Sequence, residues 1–220
     1  LSLGFEKIGY KSLLGIDLWK DAIETYNYNR SNNSGIVKPV SDFSDKDLLE
    51  LKKKGVNGII GGPPCQGFSM VGTRKKTDSR NNLYLQFVRY VDVIKPNFFI
   101  LENVKGLLSM DNGYFKSDII SRFSDIGYNV SYKVLKASDY GLAQNRERVF
   151  FIGLLKQKYK NTFFDFPDKT NIKLSTKEAI GDLPVLEKNN LNEKYRSNPN
   201  NTYQSLMRKN INNDIPKNHD

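Results

Sequence analysis

The only cysteine in the 220-residue chain, Cys65, lies in the run Gly61-Gly62-Pro63-Pro64-Cys65-Gln66-Gly67-Phe68-Ser69. A thiolate is a strong nucleophile, and nearby donors or positive charge lower the pKa of the thiol that forms it. Two prolines before the cysteine fix φ and limit the freedom of the loop. The apolar run Gly58-Ile59-Ile60 precedes them, so Cys65 falls where a strand gives way to a loop. In open α/β sheets ligands bind at that end of the strands. An isolated cysteine is otherwise an inert core residue; the loop setting favours the nucleophile.

Glu102-Asn103-Val104 ends the next apolar run, Phe98-Phe99-Ile100-Leu101, which aims an acid at the same crevice. A carboxyl held in a partly buried site can serve as a general acid, while the plainer alternative is a cap on the following helix. Arg146 and Arg148 stand two apart in an extended stretch and so share one face. Their guanidinium donors suit an oxygen acceptor or a phosphate; a solvated charge run with Glu147 is the alternative. Asp17 closes an early strand, about where doubly wound folds place an acid on a ribose hydroxyl. Asp42, after the third apolar segment, is a similar candidate for an adenine amino group.

Around these residues the chain alternates short apolar runs with amphipathic stretches up to about residue 155, the pattern of parallel βα units. Strands are expected at Ser12–Asp17, Asn57–Gly61, Phe98–Leu101, Asn129–Lys136 and Val149–Leu155. Helices are expected at Trp19–Tyr28 and Asp45–Lys53. Further helices are expected where Leu83, Phe87, Val88, Val91 and Ile94, then Phe115, Ile119, Ile120, Phe123 and Ile126, fall on one face. Leu1–Gly9 reads as a helix that a strand would normally precede. Beyond residue 156 the periodicity weakens, and residues 189–220 hold ten asparagines, which favours irregular structure.

Composition narrows the partners. Hydrophobic residues make up 38% and charged residues 26%, and no apolar run nears the roughly 18 residues that span a bilayer. One cysteine permits no internal disulfide or cysteine-rich metal site, and the single histidine, His219, adds little metal capacity; no metal is expected. A net charge of +10 favours encounter with polyanions, nucleic acid first. The loop Gly72–Arg80 is polar, basic and hinged on glycine, suited to closing over a substrate or gripping a phosphate backbone.

In order and spacing these motifs resemble the DNA (cytosine-5) methyltransferase family. Gly-Pro-Pro-Cys-Gln-Gly-Phe-Ser is similar to its nucleophile loop, Glu102-Asn103-Val104 to its ENV motif, and Gln144-Asn145-Arg146-Glu147-Arg148 to its Q-x-R-x-R motif. Leu1–Tyr10 resembles the helix after its first glycine-rich motif, and Asp78-Ser79-Arg80-Asn81-Asn82-Leu83 the segment before its next core helix. The similarity spans about residues 1–155.

The resemblance implies a Rossmann-like, S-adenosylmethionine-dependent α/β fold. Its sheet would be mostly parallel with helices on both faces, followed by the start of a small target-recognition lobe. The catalytic domain would take residues 1–170 and the lobe residues 171–220, with a helix at Tyr203–Arg208 at its entrance. It also implies S-adenosyl-L-methionine as methyl donor, S-adenosyl-L-homocysteine as product, and a cytosine flipped out of double-stranded DNA. Cys65 would attack cytosine C6, Glu102 would hydrogen-bond or protonate N3, Arg148 would hold O2, and Arg146 would support the same pocket. Asp17 would meet the ribose hydroxyls, Leu18 or Trp19 the adenine ring, and Asp42 its amino group, with Pro64 and Leu83 lining the methionine side. Gln66, Ser69, Arg74, Lys75 and Lys76 would contact DNA.

The family's first glycine-rich motif is expected before Leu1, and its last two motifs after the lobe. The expected setting is a monomer in a bacterial cytoplasm, associated with the nucleoid and not with membrane, paired in function with a restriction endonuclease. Two alternatives stand beside this one: a tRNA cytosine-C5 methyltransferase of the same fold, and a catalytically incomplete DNA-binding fragment.

Overall fold

The computed structural model describes residues 1–64, 81–184 and 195–208. The chain forms two compact units, one of Leu1–Leu135 and Arg148–Pro167, the other of Lys136–Glu147 and Asp168–Asp220. The first carries α1 (Ser2–Lys7), β1 (Gly15–Asp17), α2 (Lys20–Tyr28), β2 (Gly35–Val37), α3 (Asp45–Lys53), β3 (Gly58–Gly61), α4 (Asn81–Ile94), β4 (Phe98–Val104) and α5 (Tyr114–Asp125). It also holds α6 (Lys156–Tyr159) and all but the terminal residue next to the second unit of β5 (Tyr128–Lys136) and β6 (Glu147–Leu155).

Strands β1 and β2 run parallel, as do β3 and β4. These are the pairings that alternating strands and helices predict. Strand β6 then lies between β4 and β5, antiparallel to β4. Helices cover both faces, giving the Rossmann-like α/β class. On β1–β2, Ile16 and Ile36 face the cluster of Phe43, Leu48, Tyr90 and Ile94 from α3, α4 and the turn before α3. The opposite face presents Gly15 beside Gly35, and the Tyr26 ring of α2 fills the slot they leave; a Cβ at either would approach that ring to 2.8 Å.

Alternation along β4 sets the main core. Phe99 and Leu101 are fully buried and join Val149 and Phe151 of β6 beneath α4 and α5. Phe99 stacks on Phe123 of α5 at 4.0 Å between ring centroids. Its ring also lies flat over Gly153, its register partner on β6, where any Cβ would stand inside the ring. Phe98, on the other face, stacks on Phe5 of α1 at 5.7 Å. Ile59 of β3 touches both this core and the cluster under β1–β2.

The second unit is held by polar groups. Ser175 and Glu178 form a capping box at the start of α7 (Thr176–Ile180). Helix α8 (Thr202–Met207) occupies the stretch expected to be helical, and its Gln204 is buried, donating to the Glu178 carbonyl. Arg208 pairs with buried Asp182 and lies over the Tyr195 ring at 3.3 Å. Among the described residues no helix is long and apolar enough to cross a membrane, and no group of three or more His, Cys, Asp or Glu could hold a metal ion.

Gly153→Ala should force the Phe99 ring off its seat and destabilise the protein by about 1–3 kcal/mol. Urea unfolding would read this as a lower midpoint at unchanged slope.

Candidate active site

Strand β3 ends at Gly61, and the chain continues through Gly62, Pro63 and Pro64 beside the end of β4. Glu102, in the last turn of the β4 pleat, is half-buried. Its Oε1 accepts from Nε of Arg148 at 2.9 Å, and the two side chains are 25% and 23% exposed. The contact follows from register: Val104 opposes Arg148 and Glu102 opposes Phe150, so Glu102 and Arg148 are diagonal neighbours on one face of the sheet. Gly62 lies against the same carboxyl, and a Cβ there would stand 2.8 Å from Glu102 Oε2. Asn103 points to the opposite face and is buried; its Nδ2 donates to the Pro63 carbonyl at 2.9 Å. An acid, a guanidinium and the start of the diproline loop thus converge at one strand end.

The carboxyl ends of the earlier strands carry the other predicted residues. Asp17 closes β1, exposed, and its Oδ1 accepts the Trp19 backbone N–H at 2.9 Å. That local turn leaves Leu18 and Trp19 at 61% and 69% exposure, an apolar surface beside a carboxylate. Such a pairing suits a ribose and an adenine ring, so these residues fit the nucleoside expected there. Asp42 ends a short 3-10 turn, Val40–Asp42, and is exposed. Helix α4 holds this turn: Tyr90 Oη donates to the Val40 carbonyl at 2.9 Å, and Arg89 donates to the Phe43 carbonyl and to Asp45. Burial pushes the Tyr90 phenol up to about 12, so it stays a donor at neutral pH. Pro64 is exposed and Leu83, on the first turns of α4, is half-buried.

Arg146 belongs to the second unit, where its side chain is exposed and its carbonyl accepts the Ala137 N–H at 2.9 Å. Cys65, Gln66, Ser69, Arg74, Lys75 and Lys76 lie outside the described residues. Two contributors escape a reading of the sequence for reactive groups: Gly62, whose missing side chain leaves room for the Glu102 carboxyl, and Asn103. The signal for Asn103 is present, a lone amide in an otherwise apolar alternation that must find a partner once buried.

A mixed α/β sheet with an acid–arginine pair beside Gly62 at the end of its parallel strands β3 and β4 fits the Rossmann-like methyltransferase class. The family described as C-5 cytosine-specific DNA methylase matches residues 1–219, and the chain belongs to it. Among curated relatives, the Type II methyltransferase M.DdeI of Desulfomicrobium norvegicum is 44% identical over 218 residues, covering 94% of this chain and 52% of that protein. The Type II methyltransferase M.MthTI of Methanothermobacter thermautotrophicus is 38% identical over 215 residues, covering 93% of this chain and 61% of that protein. The chain therefore spans about half the length of the curated relatives it matches.

A prophage-encoded E. coli protein, described as a DNA modification methyltransferase, superposes with a TM-score of 0.71 at 31% identity, over 84% of this chain and 52% of that one. The S. pombe Dnmt2 methyltransferase superposes at 0.59 and 19% identity, over 88% and 54%, a likeness of fold alone.

The Glu102–Arg148 contact should appear as coupling between the two side chains. In a double-mutant cycle of Glu102→Gln and Arg148→Met, the interaction term in unfolding free energy should be about 1 kcal/mol, stabilising, and reduced in high salt.

Proposed function

We propose that this chain is the catalytic part of an enzyme that methylates C5 of cytosine in double-stranded DNA, using S-adenosyl-L-methionine as donor. The observation that carries the reading is the Glu102–Arg148 pair set against Gly62, three residues before Cys65. Family membership supports it. The domain reading, catalytic residues 1–170 with a recognition lobe beginning at 171, belongs to the same proposal.

Cytosine C5 is a poor nucleophile. Attack by the Cys65 thiolate on C6 forms a C6–S bond and pushes electron density toward N3 and C5. Glu102 at N3 hydrogen-bonds or protonates the ring and stabilises that adduct. Arg148 holds Glu102 in place and offers its guanidinium to O2. When bound, S-adenosyl-L-methionine supplies an electrophilic methyl and leaves as S-adenosyl-L-homocysteine. Asp17 would receive its ribose hydroxyls, Leu18 and Trp19 its adenine, Asp42 the adenine amino group, and Pro64 and Leu83 the methionine end. Loss of the C5 proton then expels Cys65 and restores the aromatic ring. Gln66, Ser69, Arg74, Lys75 and Lys76 would grip the DNA, whose target base must leave the stack to be reached.

The curated relatives are named Type II methyltransferases, which supports a role opposite a restriction endonuclease. Acting on chromosomal DNA would place the protein in the cytoplasm with the nucleoid, as a monomer on one flipped base.

Labelled S-adenosyl-L-methionine, the full-length gene product and unmethylated genomic DNA should give label in 5-methylcytosine, and Cys65→Ala should abolish it. Label in tRNA and none in DNA would overturn the choice of substrate. Trp19 is the only tryptophan in the sequence. In the 220-residue chain its fluorescence should change on addition of S-adenosyl-L-methionine, and Asp17→Ala should weaken that binding about 10-fold or more.

A further inference from the structure

The pairing of β3 with β4 holds one offset, 40 residues, from Gly58↔Phe98 to Gly61↔Leu101. Side chains carry the same offset past both ends of the ladder. Before it, Asn97 Nδ2 donates to Asn57 Oδ1 at 2.6 Å. After it, Gly62 meets Glu102, and Asn103 Nδ2 donates to the Pro63 carbonyl at 2.9 Å. The chain beyond Gly62 cannot extend the ladder through donors of its own, because neither Pro63 nor Pro64 has a backbone N–H. Only carbonyls remain as handles there. Asn103 supplies the matching donor, from a side chain buried among the apolar residues of β4 and β6. Its Oδ1 accepts the Val104 N–H at 2.9 Å, which fixes the direction in which the amide points.

We infer that Asn103 is a positioning residue: its amide prolongs the β3–β4 register onto Pro63 and so sets where the chain leaves β3 relative to Glu102, two residues before Cys65 in the sequence. An amide in this position would cost free energy unless both its ends were satisfied, and both are. Glu102 and Asn103 divide the work of adjacent positions on a pleated strand. One faces the crevice with its carboxyl; the other, on the reverse face, holds Pro63 at the same depth along the strand. The catalytic consequence rests on the methyl-transfer reading; the positioning does not.

Asn103→Asp tests this, since it keeps the acceptor for Val104 N–H and removes the donor to Pro63. Asn97→Ala is the control, removing the clip at the far end of the same ladder. In the full-length gene product, with unmethylated bacteriophage DNA, Asn103→Asp should lower kcat about 10- to 100-fold. The half-saturating S-adenosyl-L-methionine concentration should change less than kcat, because the hydrogen bond removed goes to Pro63 and not to a residue assigned to the cofactor. The rate at which iodoacetamide alkylates Cys65, read by peptide mass spectrometry, should differ from wild type by about threefold or more. Asn97→Ala should leave all three unchanged. Unchanged alkylation and kcat in Asn103→Asp would overturn the inference, as would equal effects from Asn97→Ala, which would mark a general loss of ladder stability. Should Asn103→Asp not fold, Asn103→Ser, whose shorter hydroxyl falls short of Pro63, is read in the same way. Should the wild type not methylate DNA, the methyl-transfer reading fails and the alkylation comparison alone decides the positioning.

Discussion

The β3–β4 register is the constraint from which the rest of the site follows. Side chains on a strand alternate, so a slip of one residue would turn Glu102 into the core and bring Asn103 out to the crevice. Packing blocks that slip. Phe98 lies across Gly58, where a Cβ would collide with its ring, and Phe99 lies across Gly153 on the other side. Two large rings on adjacent residues of β4 are thus keyed into two glycines on neighbouring strands, one on each face of the sheet. Moving the register by one would set each ring against a residue with a side chain. The acid then has no choice of depth or face, and neither does Pro63, which Asn103 holds.

Helix α4 ties this end of the molecule to the residues assigned to the cofactor. Its Tyr84, Phe87, Val88 and Val91 enter the core over β4 and β6, while Tyr90 and Ile94 enter the cluster under β1–β2. From the same helix Tyr90 and Arg89 hold the backbone of the turn that carries Asp42. Burial pushes the Tyr90 phenol up to about 12 and so strengthens its hold on the proton that it donates to Val40. A site spread over several loops gains its precision from rigid elements of this kind.

The sequence is a good guide to whatever periodicity controls. Helices α2 to α5 fall within a few residues of the apolar stripes that announce them, and the long strands fall on their apolar runs. What escapes is set by tertiary contact. Strand β2 has three residues, too few to alternate visibly, and it pairs with β1 where Gly15 and Gly35 together leave room for Tyr26. The antiparallel placement of β6 leaves no mark in its own composition, since a buried strand reads alike in either direction. The polar interior of the second unit, with Gln204 and Asp182 buried, reads as loop because no apolar pattern announces it. At the site, the types and order of Glu102 and Arg148 are plain in the sequence, but their contact is a product of the diagonal register.

The direction of β6 has a chemical consequence. In a parallel sheet every strand offers the ligand edge its last residues, as β1 does with Asp17 and β4 with Glu102. An antiparallel strand offers its first residues there instead. Strand β6 therefore begins at the site, and Arg148, second in the strand, arrives opposite Val104 and beside Glu102. A parallel strand in that place would bring its last residues to the edge and carry its first to the opposite end of the sheet. The same reversal means that the chain re-enters the first unit at the residue that holds the acid, coming directly from the segment Lys136–Glu147 of the second unit. One inverted strand thus places a guanidinium on the acid.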